Sequence, residues 1–141
     1  MERNIIILNE MYKTVTMGII GIDDVIEKID DKALEKSMLD AKKKYQIFKM
    51  DITKVLKKYK EEPAEINPLL RASNEIYTEF KTIKTSDGKI VKMLMEGTNK
   101  GIIKLQEIKN NEEISDEDIK KILLDLLELL EYQISAWKKY L

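Results

Sequence analysis

Histidine and cysteine are both absent from the 141 residues. Without imidazole or thiol there is no Ser-His-Asp or Cys-His catalysis, no zinc finger, no Fe–S cluster, no His-held haem and no disulfide. Proline occurs 2 times, glycine 5 times, and aromatics make up 6%. So few breakers argue against a β-sandwich, a collagen-like chain or a Gly-rich linker array. Among the 25 basic residues only Arg3 and Arg71 are arginine, and the net charge is −1. A nucleic-acid surface usually carries excess positive charge and uses arginine for bidentate contacts, so nucleic acid is not expected as a partner. Long apolar runs are missing too. The longest, Ile5-Ile6-Ile7-Leu8, falls far short of the roughly 20 residues of a membrane span. It also lacks the surroundings of a signal peptide. The expectation is no membrane partner and a cytoplasmic location, which the lack of cysteine suits.

What is present is helical periodicity. Hydrophobic residues make up 43% and charged residues 36%, spread over a length that suits one domain, residues 1–141. Ile5, Leu8, Tyr12, Val15, Ile19, Ile22, Ile26 and Ile29 follow steps of 3, 4, 3, 4, 3, 4 and 3, an unbroken heptad seam. Met11 and Val25 widen it, and Gly18 and Gly21 weaken the helix by about 1 kcal/mol each, which allows a local bend. The spacing predicts a helix over about 3–29. Asp30 and Asp31 are caps for a second helix, about 32–61, with the seam Leu34, Met38, Ala41, Tyr45, Phe48, Ile52, Val55 and Tyr59. A connection this short forces an antiparallel hairpin that brings Val15 near Tyr45 and Tyr12 near Phe48.

Pro63 and Asn67-Pro68 interrupt the pattern, and a shorter helix is predicted over about 69–84. Thr85-Ser86-Asp87-Gly88 marks a turn. A helix over about 87–110 follows, with Ile90, Leu94, Gly97, Gly101, Leu105 and Ile108 inward. Ser115-Asp116-Glu117-Asp118 reads as a capping box opening a last helix over about 116–140. Its stripe is Ile119, Leu123, Leu126, Leu130, Gln133, Trp137 and Tyr140. The fold class is therefore all-α: an antiparallel four-helix bundle of two helical hairpins. The roughly 25 residues between the hairpins suffice for one long crossover carrying a short extra helix, the connectivity of ferritin-like folds. An up-down bundle with a fifth helix across one end is the alternative.

The order of two long helices, a crossover with Ile66-Asn67-Pro68, and the segment Met93-Leu94-Met95-Glu96-Gly97-Thr98-Asn99-Lys100-Gly101-Ile102-Ile103 resembles uncharacterised ferritin-like four-helix-bundle proteins of anaerobic Firmicutes. The resemblance covers nearly the whole chain in layout. It implies a fold more than a function.

A ferritin-like di-iron site needs inward glutamates and two Glu-x-x-His pairs. The imidazoles are missing, and no seam position is acidic. Glu96-x-x-Asn99 and Glu128-x-x-Glu131 have suitable spacing but fall off the seams. No metal site, cofactor or catalytic residue is assigned. Lys42-Lys43-Lys44 and Lys57-Lys58-Tyr59-Lys60 read as solvated helix faces, and Ser86-Asp87-Gly88-Lys89 as a turn without the glycine spacing of a phosphate loop. Gly97 and Gly101, one turn apart, allow close approach of a neighbour or line a ligand channel. Tyr12 and Tyr45 fill core or line a small cavity. Trp137 is a core anchor or an interface residue. Met93 and Met95 supply adaptable packing. The expected function is a non-enzymatic helical interaction or structural module lacking the di-iron site. The alternative is a degenerate ferritin-like metal-binding or redox protein with a His-free carboxylate site. Leu124 and Leu129 flank the last helix's stripe and suggest a homodimer through that helix, or cover by the crossover helix, alongside an unidentified protein partner.

Overall fold

The computed structural model describes residues 2–64 and 85–141. Among these residues there are four α-helices and no strand. They are α1 (Glu2–Val25), α2 (Lys32–Lys58), α3 (Asp87–Asn111) and α4 (Glu117–Trp137), with 3-10 turns at Ile26–Lys28 and Lys138–Tyr140. The helix predicted over 69–84 lies outside the described residues.

The helix ends follow from local chemistry. Asp31 accepts the Leu34 amide at 2.9 Å and starts α2. The Asp87 carboxylate, in the first turn of α3, receives the Asp30 and Asp31 amides at 2.9 Å each. That single side chain ties the α1–α2 connection to α3. Ser86 caps α3 through the Lys89 amide. The cap of α4 is Asp116, which accepts from the Asp118 and Ile119 amides. The capping box anchored on Ser115 is thus shifted by one residue. The reason is that Asp116 also receives the Tyr59 hydroxyl, a partner that Ser115, exposed in the preceding turn, does not have.

Two ends differ from the periodicity. α1 gives way to a 3-10 turn after Val25, so its last predicted turn is tightened. α2 stops at Lys58, three residues before the predicted end. The Lys60 amide bonds to Lys57 oxygen and the Glu61 amide to Leu56 oxygen, while Lys60 has φ of 60°. This is a Schellman ending with lysine where glycine is usual.

α1 packs mainly on α2, and α3 on α4; the α1–α3 and α2–α4 faces complete the arrangement. The start of α1 meets the end of α2 through Asn4 and Tyr59, and Arg3 pairs with Glu112 just beyond α3 at 3.2 Å. One core results, from Leu8, Met11 and Val15 through Leu34, Met38, Ile52 and Leu56 to Ile90, Leu105, Ile119 and Leu126. The α1 heptad seam is only partly inward: Ile7 and Val25 are buried, whereas Ile5, Ile19 and Ile26 are half-buried. A straight helix of 3.6 residues per turn drifts about 20° per heptad against a 3.5 repeat, so the inward stripe slides off the seam. Leu124 is exposed as expected, but Leu129 is 8% exposed and belongs to the core. It lines the base of the α2–α4 groove together with Phe48.

The segment Glu2–Lys28 is long and apolar enough by composition to cross a membrane, although 33% of its most apolar window is buried. The four-residue apolar run did not predict this, because polar residues such as Asn9-Glu10 and Lys13-Thr14 interrupt the apolar residues that follow. Core helices and signal sequences share this length and composition.

Candidate functional site

An elongated cleft of about 560 Å³ opens between α1 and α3, with α2 and α4 forming its floor. Its volume lies within the range of small-molecule sites, about 300–1,000 Å³. The floor depends on a glycine. Tyr45, from α2 and 3% exposed, lays its ring against Gly18 of α1. A Cβ at Gly18 would stand 2.6 Å from Tyr45 Cε2. The Tyr45 hydroxyl continues to α4 and donates to Gln133 Oε1 at 2.7 Å. Tyr45 thus bridges three helices, and Gln133 is fixed by it.

Gln133 is 2% exposed, and its Nε2 has no hydrogen-bond partner. Burying an unpaired amide group costs about 1–3 kcal/mol, so such an atom calls for an explanation. Elsewhere the cleft's polar groups are already engaged. Thr14 Oγ1 donates to Glu10 oxygen at 2.9 Å and Thr98 Oγ1 to Leu94 oxygen at 2.8 Å, each within its own helix. The walls are therefore effectively apolar.

The cleft is polarised along its length. On α1 the lining runs from Glu10 to Ile22, about 18 Å at 1.5 Å per residue. Gly101 of α3 meets Thr14, 3.2 Å from the position of a Cβ. With the end of α3 beside the start of α1, this register gathers Lys13, Lys100 and Lys104 with Glu10 at one end. Ile22, Met93 and Trp137 lie at the other end, and Gly18, Gly97, Tyr45 and Gln133 between. Lys13, Lys100 and Lys104 are exposed. Trp137 is 2% exposed and its Nε1 donates to Ser37 Oγ at 2.9 Å, so it is a core anchor.

The structure therefore assigns several sequence candidates to this place. Gly97 and Gly101 both line the cleft, but Gly97 is exposed at its rim rather than inward. It lies on the flank of the α3 stripe, whose buried residues are Ile90, Val91, Met93, Leu94 and Leu105. Tyr45 lines the cleft. Tyr12 does not; it is half-buried, with Lys49 Nζ 5.4 Å from its ring centroid. Gly18, read as a weak point in α1, is the seat of the Tyr45 ring.

Glu96, Asn99, Glu128 and Glu131 are all exposed. Among the described residues no three acidic side chains gather where they could hold a metal ion. The basic runs are tied into local pairs: Lys42 meets Asp23 at 2.7 Å, and Lys58 meets Asp118 at 2.6 Å. A second polar cluster closes the end of the fold where α2 finishes and α4 begins. The Tyr59 hydroxyl donates to Asp116 and accepts from Asn4 Nδ2 at 3.1 Å. The Tyr59 hydrogen bond, with the Ile119 and Asp118 amides and Lys58 nearby, holds the Asp116 carboxyl below the usual carboxylate range. The same bond raises Tyr59, and the bond to Asp118 raises Lys58. This cluster joins α1, α2 and α4 and is a structural clasp.

Comparison with known families, with curated proteins and with solved structures finds no match to this chain.

Proposed function

We propose that this chain is a non-enzymatic, water-soluble helical module that works in the cytoplasm by holding a small molecule in the cleft between α1 and α3. The observation that carries the reading is the buried Gln133 amide nitrogen, without a hydrogen-bond partner, in the body of a cleft whose charged residues stand at one end. No His or Cys exists to act there, and the only carboxylate on its lining, Glu10, sits at the lysine end. Nucleic acid and membrane are not proposed as partners.

The scaffold in this proposal is an antiparallel four-helix bundle with ferritin-like connectivity and without the di-iron site. Four placements support it. Asn4 meets Tyr59, and Tyr59 meets Asp116, at one end. Arg3 meets Glu112 at that same end. Asp87 meets Asp30 and Asp31 at the other. The chain thus leaves α2 at the first end and enters α3 at the second, which asks for one long crossover.

The test uses Trp137, the only tryptophan, as a built-in reporter in the cleft. Titration with 1-decanol is expected to shift its emission and raise the melting temperature, and Gly97→Phe, which places a ring over the rim, is expected to abolish both. No response to any apolar small molecule overturns the reading. Stoichiometric metal in natively purified protein would instead support a ferritin-like metal-binding protein with a His-free carboxylate site.

A further inference from the structure

We infer that the occupant of the cleft is an elongated amphipathic anion. Its charged head rests at the Lys13, Lys100 and Lys104 end, its apolar body runs toward Trp137, and an oxygen part-way along accepts from Gln133 Nε2. The inference deepens the binding reading above and rests on it.

Three independent features select this chemistry. The first is shape. The lining extends along about three turns of α1 and of α3, so the space is a trough that favours a chain over a compact ring system. The second is charge. Three lysines and one glutamate stand at one end, and no charged side chain lines the rest. Among the described residues none of the three lysines is held in an ion pair. An exposed cluster with a surplus of positive charge at the mouth of a low-dielectric trough attracts an anion there, and the attraction weakens with salt. Glu10 at the same end disfavours a second negative charge, so one anionic head is the better fit. The third is the amide. With Thr14 and Thr98 bonded back to their own helices, Gln133 offers the one polar contact in the body of the trough. It lies near the level of Gly97, two turns of α3 from Lys104, about 10 Å along the helix. A purely hydrocarbon body would leave its donor unpaired, and an acceptor oxygen about 5 Å from the head, the rise from Lys100 to the level of Gly97, satisfies it.

The proposal is tested on the full chain by Trp137 emission and by calorimetry with four ten-carbon probes: decanoate, 1-decanol, decylamine and 5-oxodecanoate. Decanoate is expected to bind at least about tenfold more tightly than decylamine, a difference of about 1.4 kcal/mol, and to lose affinity as salt is raised. 1-Decanol is expected to be insensitive to salt. Lys100→Gln with Lys104→Gln, both on exposed positions that leave the core untouched, should lower decanoate affinity and leave 1-decanol unchanged. 5-Oxodecanoate should bind more tightly than decanoate, and Gln133→Met should remove that margin. Decylamine binding as well as decanoate overturns the anion assignment. 1-Decanol binding alone also overturns it while preserving the cleft as a site. Equal binding of decanoate and 5-oxodecanoate means that water serves Gln133, and overturns the amide contact. Failure of all four probes, with circular dichroism unchanged, overturns the cleft itself.

Discussion

Changing Gly18 to alanine tests the packing on which the cleft floor depends. In most helices this change is favourable, because alanine is preferred over glycine by about 1 kcal/mol. Here the new Cβ would stand 2.6 Å from Cε2 and 2.8 Å from Cζ of Tyr45. Those atoms belong to a rigid ring that is buried and tethered by its hydroxyl to Gln133. The ring cannot swing aside without losing that bond. Overpacking of this kind costs about 1–3 kcal/mol, so Gly18→Ala should be neutral to destabilising by about 2 kcal/mol after the propensity gain. Gly97 supplies the control. It lies in the middle of α3 and is exposed, so Gly97→Ala should gain the full propensity difference of about 1 kcal/mol. Urea unfolding followed by circular dichroism would measure both. The expected gap between the two variants is about 1–3 kcal/mol, the overpacking cost with propensity cancelled. In a Tyr45→Leu background, where no ring fills the space, the gap should close. A Gly18→Ala protein as stable as Gly97→Ala would refute the close approach of Tyr45 to α1.

Three further outcomes are expected. Lys60, at φ of 60°, bears the strain of the left-handed region that glycine avoids. Lys60→Gly should stabilise by about 0.5–1 kcal/mol after the added freedom of the unfolded chain is counted, and thermal melts should rise accordingly. Tyr59→Phe should cost about 1 kcal/mol at pH 7. Since Asp116 is lowered in the folded state, its share of stability is present above the ordinary carboxylate value and is lost as pH falls through the folded one. The gap between wild type and Tyr59→Phe should therefore narrow below about pH 4. Tyr59 is raised, so its share holds below about pH 10 and fades as pH rises through the folded value. Finally, Ile47 and Tyr132 are exposed on either side of the α2–α4 groove, with Leu124 about two helical turns from Tyr132. A second copy meeting this face in a two-fold dimer is the proposed cover. Light scattering at about 100 μM should give twice the chain mass, and Leu124→Glu with Tyr132→Glu a folded monomer; a wild-type monomer there would sink the dimer. Leu129 is unsuited to this test, because it is buried.

The helices were legible because their apolar residues recur at helical spacing and because aspartate and serine mark the starts. Asp31 caps the helix whose beginning it announces, whereas Ser86, legible only as part of a turn, proves to cap α3. What the spacing could not reveal is how a 3.5-residue pattern distributes burial on a 3.6-residue helix. Ile7 is buried and Ile19 is not, although Ile19 sits on the seam. Helix ends that depend on tertiary partners were also out of reach. The frame of the α4 cap is chosen by Tyr59, 57 residues away. The α2 ending uses a lysine in a backbone conformation that glycine would have advertised.

The cleft illustrates why sites are harder to read than folds. Each of its markers broke a local rule: Gly18 weakens α1, Gly97 and Gly101 weaken α3, and Gln133 places an amide on an apolar stripe. Taken one at a time, each has an ordinary structural explanation, and none names a partner. Their meaning depends on register. Tyr45 lies against Gly18 and reaches Gln133; Gly101 lies against Thr14. These contacts put the exceptions from three helices at one place, with Tyr45 of the fourth between them. Local violations scattered through a core are defects that selection would remove independently, whereas violations that converge are expected where function is bought with stability. Gly18 and Gly101 admit Tyr45 and Thr14, Gly97 leaves the rim open, and the amide leaves one donor inside the cleft. A core built only for stability would have closed that trough with larger side chains and put leucine at position 133. The departure of α3 and α4 from that solution, in a cleft with lysines gathered at a single end, is the physical argument for the proposal that the trough takes up something other than the protein itself.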